Sequence, residues 1–257
     1  MFTDSHCHLD FSCFNPELAE LFEALKEHKI TKVVIPATQA SAWESIQNIA
    51  NHYDSAFYAL GIHPHFLSSF EQQDLMNLNE LLKNRDKKCI ALGEIGLDKF
   101  APVDLEQQEW VFIEQLKIAQ RHQLPIILHC VKMQGRVLTL LKQYKFDQGG
   151  VYHAFSGSIE VANEFIRLGF KLGVGGVITY PNSTKTRQTF AALPLDALLL
   201  ETDAPDMPLY QQQAKNNTPL NILPIFECLS SLRNESKIQL ATQLYKNMHK
   251  IFSLSDD

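Results

Sequence analysis

The sequence predicts an α/β fold, a TIM-like (β/α)8 barrel, and three observations point there. Short apolar runs rich in β-branched residues alternate with helical patterns from one end to the other. Eight such runs occur, with no long linker, low-complexity tract or charge block between them. Histidines and acids gather where most of the runs end, and in a barrel those ends ring one shared mouth. The chain has 257 residues, of which 45% are hydrophobic and 20% charged, so it is read as a single globular domain over residues 1–257.

The first run is FTDSH near residue 2. PELAELFEALKEH follows, with a helical stripe at Leu18, Leu21, Phe22 and Leu25 and with Pro16 at its start. Next come KVVIPA near 32, AFYALGIH near 56 and CIALGEIG near 89. A long helical pattern, LEQQEWVFIEQLKIAQRHQ, leads to PIILHC near 125 and GVYHAF near 150. SIEVANEFIRLG reads as a helix with Gly169 suited to its C-terminal cap, before FKLGVGG near 170 and DALLLETD near 196. KIQLATQLYKNMHKIF supplies a last helix. The apolar runs suit strands buried on both faces. A doubly wound open sheet is the runner-up, but it calls for a Gly-rich phosphate loop after its first strand, and DSHCHLDF has no glycine.

Charge narrows the classes further. A formal net charge of −6 argues against a stable nucleic-acid coat, though not against an enzyme that releases its substrate. No apolar run approaches the ~18 residues of a membrane span, and no signal peptide is read at the start. Five cysteines without a CxxC pair read as reduced thiols and a cytoplasmic location. No feature announces a stable protein partner.

The run ends carry the chemistry. His6 and His8 follow the first run, His63 and His65 the third, His129 the fifth and His153 the sixth. Glu94 and then Asp98 end the fourth, and Asp203 the eighth, while the second and seventh offer nothing comparable. The other histidines, His28, His52, His122 and His249, fall in or near helices, where solvated or capping roles are the default. In HCH the two imidazoles face one way and Cys7 the other, because strand side chains alternate. Cys130 beside His129 reads likewise as packing. Imidazole and carboxylate ligands without thiolate suit zinc, manganese, magnesium or iron. Glu94 sits in the nearly uncharged stretch ALGEIGLD, where burial without a partner is costly. Either a Lys or Arg from elsewhere or a pair of cations answers that charge. Glu201 is a weaker candidate two residues before Asp203. Phe66, Phe100, Phe155 and Tyr180 can stack on bases, with packing as the default. Trp43 and Trp110 fall in helices as packing residues.

In order and spacing, DSHCHLD at the start, GIHPH at 61–65, ALGEIGLD at 91–98, ILHC at 127–130, YHAFSGS at 152–158 and LLLETDAP at 198–205 resemble the TatD family of metal-dependent deoxyribonucleases, and within it a YjjV-like subgroup. That resemblance implies two divalent ions, magnesium, manganese or zinc. His6, His8 and Asp203 would hold one ion, His129 and His153 the other, and Glu94 would bridge them. His63 would contact the scissile phosphate or the nucleophilic water, and Asp203 would orient or deprotonate that water. His65 would hold substrate or cap the turn at Pro64. Asp98 would bind substrate or orient a histidine. The substrate implied is DNA, and single-stranded ends are expected because a deep barrel mouth admits a strand terminus better than a duplex. Two departures bear on it: Val131 stands where relatives often carry Arg, and only Lys215 precedes Asn217 in a loop that is often basic. The alternative keeps the metals and takes a small phosphoester, amide or lactone.

Overall fold

The computed structural model describes residues 1–212 and 217–254. One sheet holds eight parallel strands in sequence order. They are β1 (Phe2–Asp4), β2 (Ile30–Pro36), β3 (Ala56–Leu60), β4 (Cys89–Asp98), β5 (Ile126–Val131), β6 (Gly150–Tyr152), β7 (Phe170–Val174) and β8 (Leu198–Leu200). Helices cover the outside: α1 (Leu18–Glu27), α2 (Trp43–His52), α3 (Gln72–Lys83), α4 (Leu105–His122), α5 (Gln134–Gln143), α6 (Ile159–Arg167), α7 (Thr184–Ala192) and α8 (Ile222–Leu232). A ninth, α9 (Lys237–Ile251), follows them.

Backbone bonds between the two ends of the chain close the sheet into a barrel. Ser5 donates to the Leu200 carbonyl at 2.9 Å, Asp203 to His6 at 2.9 Å, and His8 to Ala204 at 2.7 Å. Strand alternation divides the apolar side chains between two cores. Val34, Ala59, Ala91, Ile127, Val151 and Leu199 fill the barrel interior, with Met248 and Phe252 of the C-terminal segment packed on them. The alternate residues, such as Val33, Ile35, Leu128, Tyr152 and Leu172, face the helices.

Local chemistry sets the helix ends. The α1 stripe buries Leu21, Phe22 and Leu25, and Pro16 lies in a 3-10 turn just ahead of the helix rather than in its first turn. Asp104 caps α4 by accepting the Gln107 N–H at 2.8 Å. Gly169, at φ +85°, ends α6 in the left-handed region that glycine enters without a Cβ clash. Trp43 is buried and donates its indole N–H to the Gly61 carbonyl. Trp110 is 41% exposed, and Phe70 packs edge-on against it. Phe155 is wholly buried, so it packs and cannot stack on a ligand.

Strand β4 differs from its expected outline. Glu94 lies inside the strand, four residues before its end at Asp98, and the pairing with β5 shifts register between Leu92 and Ile95. Backbones are also very close here, since a Cβ on Gly61 would stand 2.6 Å from the Gly93 carbonyl carbon. Gly61→Ala is expected to overpack this contact and lower stability by about 2–3 kcal/mol. A denaturant midpoint equal to that of the unmodified protein would refute the close approach.

Candidate metal centre

The residue at the heart of the mouth is Glu94, 2% exposed. Its two oxygens divide the surrounding groups. Oε2 faces His6 Nε2 at 3.2 Å and His8 Nε2 at 3.5 Å, and Asp203 Oδ1 stands 3.3 Å from the same His6 nitrogen. Oε1 faces His153 Nε2 at 2.8 Å, His129 Nδ1 at 2.9 Å and His63 Nε2 at 3.3 Å. Among the described residues four clusters are compact enough to hold an ion: His6 with His8 and Asp203, His6 with Glu94 and His153, His63 with Glu94 and His129, and His65 with Asp98 and His129. Alternation explains the convergence. His129 and His153 lie two residues beyond the interior-facing Ile127 and Val151, so they extend the same face over the mouth.

The donor chemistry fits divalent cations. Imidazole nitrogens approach one another, 3.1 Å between His6 and His8 and 3.0 Å between His129 and His153, which shared cations explain better than hydrogen bonds alone. Among the described residues no Lys or Arg pairs with Glu94 or Asp203; their ionic neighbours are histidines.

Surrounding side chains set the imidazole tautomers. His129 Nε2 lies 2.9 Å from Asp98 Oδ2, so the proton belongs there and Nδ1 presents a lone pair to the centre. His63 is the reverse: its Nδ1 accepts the His65 backbone N–H at 3.1 Å, which places its proton on Nε2 and makes that nitrogen a donor. Asp98 also takes His65 Nε2 at 2.7 Å, so it ties two histidines rather than standing free for substrate. The His65 side chain is 40% exposed at the mouth, and its backbone begins the turn after Pro64.

Other acids brace the frame. Asp4 Oδ1 accepts the N–H groups of His6 and Thr202, and Oδ2 accepts the Thr202 hydroxyl at 2.5 Å. Asp4 thus ties β1 to β8 outside the ring of clustered donors. Glu201 is fully buried, and one of its oxygens accepts the Ala154 N–H, next to His153. Its room comes from β7, where a Cβ on Gly173 would meet Glu201 Oε2 at 2.0 Å. The seventh strand contributes a missing side chain, which no strand-end motif reveals. Asn217 is buried and donates to the Thr202 carbonyl at 2.9 Å, steadying the Asp203 loop. Lys215 lies outside the described residues.

Burial opposes charge throughout, and neighbours decide the outcome. Burial pushes Glu94 upward, but His153, His63 and His6 outweigh it and hold the carboxylate well below its usual range. Burial would lower His153, yet Glu94 lifts it to about 10. Burial similarly opposes protonation of His129, and Asp98 and Glu94 together raise it. His6 falls well below normal through burial and the nearby His153, and burial takes His63 down to about 4. Burial also raises Asp203, and it pushes Glu201 up to about 8 and Asp4 to about 7. Glu94 therefore demands positive charge beside it, from protons or from cations.

The model of TatD-related DNases matches residues 3–253. The chain belongs to this family. It is 40% identical over 254 residues to the uncharacterized metal-dependent hydrolase YjjV of Escherichia coli strain K12, covering 98% of each chain. A Haemophilus influenzae metal-dependent hydrolase, also uncharacterized, is 39% identical, with 98% of this chain and 99% of that one covered. The crystal structure of E. coli YjjV superposes with a TM-score of 0.96 over 99% of this chain and 98% of the other. A TatD family hydrolase from Entamoeba histolytica shares the fold at 20% identity, with a TM-score of 0.89 over 99% and 98% of the two chains. This TatD-family chain is a metal-dependent hydrolase, and its mouth carries the His, Glu and Asp clusters such an enzyme needs.

Two tests follow from the charges. His153 is protonated at pH 7 but must be neutral to bind a cation, so metal uptake should release protons and tighten as pH rises toward about 10. Calorimetry in buffers of different ionisation enthalpy reads this directly, and uptake without proton release contradicts it. Glu201 keeps its proton to about 8 when folded but loses it near 4.3 when unfolded, so stability should fall as pH rises between those values. Glu201→Gln should flatten that fall in the metal-free protein, and a thermal-midpoint profile that is unaltered counts against it.

Proposed function

We propose that this protein hydrolyses phosphodiester bonds of DNA, working from single-stranded ends with two divalent ions, magnesium, manganese or zinc. One observation carries the reading: a single buried carboxylate offers each oxygen to a separate set of donors. His6, His8 and Asp203 would hold one ion, His129 and His153 the other, and Glu94 would span both. Bound there, the ions would acidify water and neutralise charge on the phosphoryl oxygens.

The chain's own groups supply the rest. Asp203 lies against the His6 and His8 set, and burial raises its carboxyl, which suits it to accept the proton of the attacking water. His63 is neutral at pH 7, since burial takes it down to about 4, and its Nε2–H, 3.3 Å from Glu94 Oε1, is a donor that would serve a phosphoryl oxygen. That tautomer favours His63 as a substrate contact over a ligand. His65 stands half-exposed behind it as a further substrate contact. Five free cysteines fit a reducing cytoplasm. The net charge of −6 favours a second reading, a small phosphoester, amide or lactone as substrate.

A labelled single-stranded oligonucleotide with manganese or magnesium tests the proposal. Asp203→Asn and Glu94→Ala should each cost on the order of 10²–10⁴ in kcat/KM. Unaltered rates in both variants, or turnover of amides and lactones with none of the oligonucleotide, would overturn it.

A further inference from the structure

The eight loops at the barrel mouth hold almost no cations. Among the described residues of these loops, only Lys99 after β4 and Lys132 after β5 are Lys or Arg. They are neighbours: Asp98 pairs with Val131 in the last rung of β4 and β5, and the Lys99 N–H donates to the Val131 carbonyl at 3.1 Å. Both side chains are exposed, and neither forms an ion pair with a described residue. Two like charges side by side, without a counter-ion, at the edge of an acidic protein call for an anion from outside.

Next to Lys99 in the same loop is Phe100, 66% exposed. Its backbone is fixed, because its N–H donates to Asp98 Oδ1 at 2.8 Å. The other Asp98 oxygen takes His129 and His65. Gln108 of α4 adds to the brace by accepting the Asp98 N–H and donating to the Val103 carbonyl. One carboxylate thus ties the Phe100 backbone, next to Lys99, to a histidine of the metal centre. Lys132 follows His129 by three residues, just past the end of β5.

We propose that Lys99, Phe100 and Lys132 form a strand-binding subsite, which holds the phosphate and base next to the bond being cut. This rests on the phosphodiesterase reading and sharpens it. The substrate would be a polyanionic single strand, running from the metal centre across the β4–β5 arc of the mouth. Lysines would neutralise the neighbouring phosphate, and Phe100 would stack on its base without reading its identity.

The test compares a fluorescein-labelled oligothymidylate with bis(4-nitrophenyl) phosphate, which has one phosphodiester and no flanking phosphate, using manganese-loaded protein. In Lys99→Ala/Lys132→Ala the ratio of kcat/KM values, oligonucleotide over chromogenic diester, should fall at least tenfold. The slope of log KM against log salt for the oligonucleotide should shrink by about 1.4, from about 0.7 for each lysine on a single strand. Phe100→Ala should raise the oligonucleotide KM about fivefold or more and leave the salt slope unaltered. Lys26→Ala/Lys87→Ala removes the same charge at the opposite end of the barrel and should move neither quantity. An unaltered ratio and salt slope in the Lys99/Lys132 variant overturns the subsite while the diesterase reading stands. Anisotropy with calcium in place of manganese reads strand binding without turnover. Strand binding that the double variant retains in full, or that the unmodified protein lacks, overturns the subsite as well. Lysine-dependent binding with no hydrolysis of either substrate supports the subsite and sinks the hydrolytic reading alone.

Discussion

The whole mouth is organised around one buried negative charge. A carboxylate as enclosed as Glu94 is costly unless positive charge surrounds it. Here the compensating groups are imidazoles, which take up a proton or a metal ion near neutral pH. Lysine or arginine would have satisfied Glu94 permanently and produced an inert salt bridge. Histidine leaves the compensation exchangeable. The same choice explains why neighbouring imidazoles approach so closely and why their protonation tendencies diverge so far, from His6 held neutral to His153 held charged.

Much of this arrangement follows from strand alternation, which a sequence displays openly. Ile127 and His129, Val151 and His153, and Leu199, Glu201 and Asp203 share parity, so an apolar interior below implies polar groups above. Order, strand count and the gathering of distant histidines are all legible for that reason. Tatlike landmarks from DSHCHLD to LLLETDAP added the family. What escaped the sequence depends on partners far away along the chain. Glu94 lies within β4, not at its end, because the register shifts against β5. The roles of His63 and His129 turn on which nitrogen bonds to His65 and Asp98, and no motif states a tautomer. Glu201 can be buried only because Gly173, on a strand that looked empty of function, leaves it space. Asp4, two residues before His6, is a strap between strands, which only its distant partner Thr202 reveals.

The mouth is also lopsided. The histidines that compensate Glu94 come from β1, β3, β5 and β6, while β4 and β5 carry both the central acid and the only described loop cations. Asp98 joins these two functions physically, one oxygen toward the rim and one toward the histidines. The carboxylate that holds the Phe100 backbone thus also sets the tautomer of His129.

The seam between β1 and β8 has a consequence for biosynthesis. His6 and His8 are translated before the backbone that braces them and the carboxylate of Asp203 beside them, which lie some two hundred residues further along the chain. A nascent or truncated chain can present histidines but no finished cradle. The cluster of His6, His8 and Asp203 is therefore complete only once translation has passed the eighth strand.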